Sequence, residues 1–201
     1  MIDKKLYNKV FKNLNTMTNF YRPYYDEYSR LIFSAEIESK LEEFKELALE
    51  VKKNNGQILF AGNGASASIA DHGAVDFTKQ GGIRARTFNE SNLITCFSND
   101  YGFENWLAKA INFYANNLDL LVLISVSGES ENVILAAQEA KRINIPVVTF
   151  SGRHSDNRLK KHGNLNFWVD SHAYNIVECI HMIWITSVID AIIGKAEYEV
   201  S

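Results

Sequence analysis

The sequence predicts an α/β protein in which helices cover both faces of a parallel sheet. Three observations support this fold class. Short apolar runs alternate with longer helical patterns, the runs at 119–125 and 146–151 are apolar throughout, and no proline-rich or low-complexity linker divides the 201 residues. Strands that are apolar on both sides are typical of parallel sheets, because helices bury both faces. We therefore expect a single domain over residues 1–201.

The short apolar runs mark the strands, and the helical patterns between them mark the crossover connections. The expected strands lie at 57–61, about 84–88, 119–125, 146–151 and 166–169. The expected helices lie at 65–80, 103–116, 130–143 and about 174–193. In a sheet of this kind, ligands bind beyond the carboxyl ends of the strands.

The first 55 residues are expected to form helices that pack in an oligomer. Residues 1–30 are rich in aromatic side chains, and a helix break is expected near Pro23. After them, apolar residues recur at spacings of three and four, which is the pattern of one helix face. This stripe consists of Ile37, Leu41, Phe44, Ala48 and Val51.

The last predicted helix is apolar almost all round, so it must be covered on several sides. Either a second subunit covers it, or it is wedged deep within one monomer. The segment Ile176–Ile193 also contains Glu178, His181 and Asp190. Three ionisable groups in such a segment favour a buried or interfacial helix over a membrane span.

The composition is that of a soluble globular protein. Hydrophobic residues make up 46%, charged residues 22%, and the formal net charge is −3, which gives no electrostatic case for nucleic-acid binding. Cys96 and Cys179 lie far apart in the sequence. They are expected to be reduced, mostly buried thiols. The N-terminal residues show no signal-peptide core, and we expect a cytoplasmic location.

Two loops rich in serine and glycine each follow an apolar run and precede a helical pattern. The first is Gly62-Asn63-Gly64-Ala65-Ser66, and the second is Ser125-Val126-Ser127-Gly128-Glu129-Ser130. Such loops present backbone N–H groups and hydroxyls at the positive end of a helix dipole, where a phosphate group binds well. Each serine has a simpler explanation as a helix cap, which Ser130 in particular is expected to be. Two such loops together predict a site for a phosphorylated small molecule.

These loops also carry a resemblance to a known family. Besides Ala61–Ser66 and Ser125–Val133, the sequence contains His72 and the run Ser98-Asn99-Asp100-Tyr101-Gly102-Phe103. With these motifs the chain resembles the SIS (sugar isomerase) family of phosphosugar-binding domains, from about residue 40 to the end. Within that family it looks most like the phosphoheptose isomerases, which interconvert sedoheptulose 7-phosphate and a heptose phosphate.

The resemblance implies a three-layer, flavodoxin-like fold with five parallel strands, assembled as a homotetramer or homodimer with active sites at subunit boundaries. It implies no nucleotide and no membrane partner, a phosphorylated sugar as ligand, and one zinc ion per site. The implied ligand-binding residues are Asn63, Gly64, Ser66, Asp100, Ser125, Ser127 and Ser130.

The implied catalytic set is only partly present. His72 matches the family's metal-binding histidine, and Asp76 stands where the family has a glutamate base, one turn further along the same helix face. Val177 and Ile185 stand where the family has a glutamine and the catalytic histidine, and neither can carry a proton. Glu178 and His181 are the nearest polar candidates for that lost role. A structural alternative is that His72–Asp76 is a helix hydrogen bond and that His181 is a core histidine.

Two functions are therefore expected. The first is a sugar-phosphate aldose–ketose isomerase, most simply one acting on a heptose phosphate for surface polysaccharide, with Asp76 as base and Glu178 or His181 as the second acid. The second is a non-catalytic regulator or partner-binding protein that binds a phosphosugar, which Val177 and Ile185 favour. A third reading, an isomerase for a different phosphosugar, also stays open.

Overall fold

The computed structural model of the chain describes residues 20–198, which fall into two compact units divided between Phe33 and Ser34. The first unit contains helix α1, Tyr21–Leu31, whose aromatic side chains pack on one another. Pro23 lies in the first turn of α1, where a missing N–H costs little, so the helix runs through the expected break. The rest of that prediction, on residues 1–19, falls outside the described residues.

The second unit begins with helix α2 and then alternates strand and helix. Its helices are α2 Ala35–Lys53, α3 Ala65–Lys79, α4 Ser91–Tyr101, α5 Trp106–Tyr114, α6 Glu131–Arg142 and α7 Tyr174–Ile193, with a short 3₁₀ turn at Leu159–Lys161. Its strands are β1 Ile58–Gly62, β2 Ala85–Arg86, β3 Leu120–Ser125, β4 Val147–Gly152 and β5 Leu165–Val169. Four of the five strands lie within one residue of their predicted bounds, and β2 is shorter than predicted.

The five strands form one parallel sheet in the order β2-β1-β3-β4-β5. This is the flavodoxin-like order. From β1 the chain passes to β2 on one side, and from β2 it crosses back past β1 to β3 on the other side. The register pairs Gly62, the last residue of β1, with Ile124 near the end of β3. The loops that follow these two strands therefore leave the same edge of the sheet side by side, at the topological switch point.

Alternate residues of each strand fill two separate cores. On one face, Leu59, Leu121 and Leu123 pack with buried residues of α5 and α6. On the other face the core is aromatic: the rings of Phe150 and Phe167 stack at 4.6 Å, and others pack around them. Those others include Phe44 of α2, Phe60 of β1, Phe77 of α3 and Trp184 of α7. Helices thus cover both faces, as the continuous apolar strands predicted.

Helix α7 is long and apolar enough to cross a membrane by length and composition alone, with a mean hydropathy of 1.9. Core helices of globular proteins meet the same criterion. In this chain α7 packs against α2, α3 and β4, and its buried residues face that core. Ile183 is 41% exposed. The chain thus covers the core-facing side of α7, with 44% of its apolar window buried, and the two alternatives stay open.

The structure also differs from the sequence-based expectations at one helix and at both cysteines. Helix α4, Ser91–Tyr101, was not predicted, because it is short, buries only Leu93 and has no capping side chain before Ser91. Both cysteines are free, as expected, but Cys96 and Cys179 are exposed rather than buried. Cys179 lies on the solvent side of α7, where hydrophobicity alone did not distinguish it from the buried residues around it.

Candidate active site

A cavity of about 170 Å³ lies at the switch point of the sheet. The first loop contributes Asn63 and Ser66, and helix α7 contributes Tyr174 and Glu178. The β3 end and its loop supply the rest of the wall: Ile124, Ser125, Val126, Ser127 and Ser130. The two loops and part of the last helix, which the sequence singled out separately, therefore form one site.

The first loop brings the N-terminus of α3 to the cavity. Gly64 precedes α3 with a φ of 57°, a left-handed conformation that favours glycine, and it caps the helix without a side-chain hydrogen bond. Ser66 in the first turn is 4% exposed. Gly62 makes this approach possible, since a Cβ there would lie 2.7 Å from the Cβ of Ser66. Gly64 itself shapes the loop and is not part of the cavity wall.

The second loop places three hydroxyls at the N-terminus of α6. Ser130 occupies the N-cap position, but its side chain makes no capping hydrogen bond. Instead its Oγ lies 3.2 Å from the Oγ of Ser125. The Ser127 Oγ accepts a hydrogen bond from the N–H of Glu129 at 3.1 Å. The capping explanation for the Ser130 side chain is therefore wrong, and the hydroxyl is directed to the cavity.

A pair of amide side chains joins the two loops. The Nδ2 of Asn63 donates to the Oδ1 of Asn132 at 2.9 Å, and the Nδ2 of Asn132 donates back at 3.0 Å. Asn132, in the first turn of α6, is 3% exposed. Two neutral side chains thus satisfy each other and fix the spacing of the loops. The resemblance implied that Asn63 contacts sugar hydroxyls or shapes the loops, and the structure shows the loop-shaping contact; Asn132 was not singled out from the sequence.

The acidic residues of the second loop are compensated by Arg158. Its guanidinium contacts the carboxylate of Glu131 at 2.6 Å and 3.2 Å, and its backbone N–H donates to Glu129 at 2.9 Å. The hydrogen bond from Arg158 holds the pKa of Glu131 below its usual range. One of the two negative charges beside the serine loop is therefore paired with a cation, which reduces the repulsion of an anionic ligand there.

Within the part of the chain that the structure describes, Glu178 is the one carboxylate in the wall of this cavity. It lies one helical turn beyond Tyr174 on α7, so the two side chains share a face of the helix. His181, the other candidate acid that the sequence offered on α7, does not line this cavity. Its Nε2 lies 3.0 Å from the carbonyl oxygen of Ser151, its ring is 0% exposed, and burial lowers its pKa to about 4.

Val177 and Ile185 are fully buried hydrocarbon. Val177 fills the space above Gly152, where an added Cβ would lie 2.7 Å away. Ile185 does the same above Gly73, at 3.0 Å. These two positions are thus part of the core, and of the residues of α7 it is Glu178 and Tyr174 that reach the cavity.

The remaining predicted residues lie outside the cavity. On α3, the Nε2 of His72 is 3.2 Å from the Oδ2 of Asp76, and their side chains are 52% and 22% exposed. Asp100, at the end of α4, accepts a hydrogen bond from Asn99 and is exposed. A rise of 1.5 Å per residue places Asp76 about 15 Å along α3 from Ser66.

The donor set for a zinc ion is incomplete within one chain. Among residues 20–198, no three or more His, Cys, Asp or Glu side chains are grouped so that they could hold a metal ion. His72 and Asp76 offer two donors, whereas zinc sites in proteins use three or four. The described chain alone therefore does not fit the predicted zinc ion.

Comparison with known proteins places the chain in a family. The SIS domain family model matches residues 23–152, and the chain belongs to that family. The cavity lies at the end of the sheet where both serine loops of this domain meet.

Within the family, the chain is similar to phosphoheptose isomerases. The chain is 30% identical to a phosphoheptose isomerase of Helicobacter pylori (strain P12) over 162 residues, which cover 78% of this chain and 84% of that protein. It is 25% identical to the phosphoheptose isomerase structure from Neisseria gonorrhoeae, with a TM-score of 0.73 and coverage of 96% and 99% of the two chains. The phosphoheptose isomerase structure from Francisella tularensis has 25% identity and a TM-score of 0.77, covering 89% of this chain and 100% of that one.

Proposed function

We propose that the chain is a sugar-phosphate isomerase that interconverts sedoheptulose 7-phosphate and the corresponding aldoheptose phosphate. The similarity to phosphoheptose isomerases over most of both chains supports the reaction and the substrate. The observation that carries the proposal in this structure is the cavity itself. Its wall combines serine hydroxyls, which suit a phosphate group, with the carboxylate of Glu178 on helix α7.

The serine loops would bind the phosphate group. The positive ends of the α3 and α6 dipoles lie at the cavity, which favours an anion there, although the N–H groups of Ser66, Ala67 and Val133 already donate to the carbonyl oxygens of Asn63, Gly64 and Ser130. The hydroxyls of Ser66, Ser125, Ser127 and Ser130 add further donors. At about 170 Å³, the cavity is smaller than the ~300–1,000 Å³ usual for a whole small-molecule ligand. It therefore suits the phosphate and part of the sugar, and the rest of the sugar extends beyond it.

Glu178 would carry the proton in this cavity. Isomerisation requires a base to remove the proton from the carbon next to the carbonyl and to return it to the neighbouring carbon. Glu178 lines the cavity, whereas His181 is buried and uncharged at neutral pH. The hydroxyl of Tyr174 lies on the same helix face and would donate a hydrogen bond to the oxygen that gains negative charge.

On this proposal, Asp76 and His72 line the cavity of a neighbouring copy of the chain. The ~15 Å along α3 between Ser66 and Asp76 is longer than a heptose phosphate. Asp76 therefore cannot reach the reacting carbons of a sugar whose phosphate is held by Ser66 of its own chain. A homotetramer or homodimer, located in the cytoplasm, would bring the pair to the rim of a second cavity and would also complete the donor set for zinc.

The test is turnover of sedoheptulose 7-phosphate by the purified protein, with and without added zinc. We expect Glu178→Gln to lower kcat by about 10²–10⁴-fold while sugar-phosphate binding remains. Glu50→Gln, a solvent-exposed change on α2 with the same loss of charge, should leave kcat within twofold. No turnover under either condition would contradict the proposal.

A mixing experiment tests the role of the neighbouring copy. Ser127→Ala removes phosphate binding, and Asp76→Asn removes the carboxylate of the second group. If each site combines loops of one chain with Asp76 of another, subunits exchanged between the two inactive variants regain part of the activity. Mixtures that stay inactive, with exchange verified by native mass spectrometry, would place the whole site within one chain.

The second candidate is a phosphosugar-binding protein without catalysis. The specific observation that favours it is the burial of Val177 and Ile185 as pure hydrocarbon at positions where the family carries polar groups. In that case sedoheptulose 7-phosphate raises the melting temperature by mass action and is recovered unchanged. The sugar recovered from Glu178→Gln would then be chemically the same as the sugar recovered from the wild type.

A further inference from the structure

We propose that Arg153 is the cation that completes the phosphate site, held ready at the mouth of the cavity by Tyr174. The inference rests on the proposed function, since it assumes that an anionic sugar occupies the serine loops. Arg153 follows directly after β4, at the same edge of the sheet as both loops.

Arg153 contacts residues of the cavity wall through its side chain and its neighbouring backbone. Its Nη1 lies 3.4 Å from the hydroxyl of Tyr174, and its guanidinium carbon lies 5.8 Å from the centre of the Tyr174 ring. Tyr174 itself lines the cavity. On the backbone side, the N–H of the preceding residue, Gly152, donates to the carbonyl oxygen of Val126 at 2.9 Å, and Val126 is also part of the wall.

The guanidinium has hydrogen-bonding capacity to spare. Its Nε is buried and makes no hydrogen bond within the described part of the chain. Nor does Arg153 form an ion pair with any residue between 20 and 198. By contrast, the guanidinium of Arg158 on the next loop is paired with the carboxylate of Glu131. A desolvated donor without an acceptor is costly, and a phosphate oxygen would satisfy it.

The cavity lacks the charge that a phosphate dianion needs. Among residues 20–198, its polar wall consists of serine hydroxyls, an amide, Tyr174 and Glu178, with no lysine or arginine. Glu178 would repel the dianion if no cation stood nearby. An arginine side chain that turns from the ring of Tyr174 to the phosphate supplies that charge, and its planar group can bind two phosphate oxygens at once.

The backbone of Arg153 carries a strain that a glycine would avoid. Its φ is 58°, in the left-handed region that non-glycine residues seldom adopt. Its N–H donates to the carbonyl oxygen of Ser171 at 3.0 Å, which holds the backbone in this conformation. An arginine in a conformation suited to glycine indicates that the side chain serves the site and not the fold. Because the side chain serves the site and not the fold, substitutions of Arg153 can change ligand binding without lowering stability.

The test measures binding of inorganic phosphate and of sedoheptulose 7-phosphate by calorimetry, without reference to turnover. We expect Arg153→Gln to raise the Kd of both by about 10-fold or more, because a charge-assisted contact is lost. Arg153→Lys should recover part of the affinity. Arg153→Gly should bind as weakly as Arg153→Gln while its melting temperature equals or exceeds that of the wild type. Arg142→Gln removes the same charge from an exposed ion pair on α6 and should change Kd by less than twofold.

The outcomes separate this inference from the proposed function. If Ser127→Ala abolishes binding and Arg153→Gln leaves it within twofold, the serine site stands and the role of Arg153 is refuted. If the wild type binds neither phosphate nor the sugar phosphate, both proposals fall. In an active enzyme, Arg153→Gln should raise KM and change kcat by less than threefold, whereas an effect on kcat alone would contradict a role in phosphate binding.

Discussion

Lowering the pH should destabilise the fold through His181. Its ring is completely buried between Phe150 and Trp184, and burial lowers its pKa from the ordinary 6.5 to about 4. The unfolded chain therefore binds a proton at a pH where the folded chain does not. The stabilisation is complete above pH 6.5, declines as the pH falls towards 4, and is absent below that value.

The magnitude follows from the two pKa values. A difference between 6.5 and about 4 corresponds to about 3 kcal/mol in total. Of this, about 2 kcal/mol is lost between pH 7 and pH 5, since at pH 5 the unfolded histidine is nearly all protonated and the folded one nearly all neutral. For a chain of this size that corresponds to a decrease in melting temperature of about 4–8 °C.

The assay is urea unfolding at pH 7 and pH 5 for the wild type and for His181→Gln. Glutamine keeps a donor for the carbonyl oxygen of Ser151 but cannot take up a proton. The variant should lose less free energy of unfolding than the wild type over this interval, by about 2 kcal/mol. Equal losses in the two proteins would show that His181 is not the group that titrates, and would refute the reasoning.

Two further predictions concern the second loop. Gly128→Ala should cost about 2–4 kcal/mol, because its φ is 66° and the new Cβ would lie 2.1 Å from the Oδ1 of Asn157, which is buried; Gly194→Ala, with a φ of 83° and no atom within 4 Å, should cost about 1 kcal/mol. Equal costs by urea unfolding would exclude the steric effect. Asn132→Ala should cost about 1–3 kcal/mol and weaken sugar-phosphate binding several-fold, because the amide pair that joins the loops is lost. The exposed change Asn112→Ala is its control, and indistinguishable calorimetric Kd values for the two variants would contradict a role for the pair.

Most of the sheet could be predicted from the sequence, because its signals are local. The continuous apolar runs at β3 and β4 define buried parallel strands without any knowledge of their neighbours. The position of both serine loops directly after strands then placed them at one edge of the sheet. The short strand β2 and the helix α4 lack such signals, since neither contributes more than one buried apolar side chain.

Within the site, the sequence revealed the donors but not their partners. The Asn63–Asn132 pair joins residues 69 positions apart, and Arg158 reaches Glu131 from 27 positions away. No periodicity connects such residues. Glu178 and His181 are three residues apart on α7, so the sequence placed them on one helix face. The structure separates them because His181 lies one turn deeper, beneath β4, whereas Glu178 remains at the open end of the strands.

The loops of the site come from strands that are adjacent in the sheet but about sixty residues apart in the chain. During synthesis on the ribosome, β1 and its loop emerge long before β3 is available to pair with it. A nascent chain that ends before β3 has only half of the anion site, so it gains nothing from a phosphorylated ligand. Such a ligand therefore stabilises the finished fold relative to an intermediate that ends before β3.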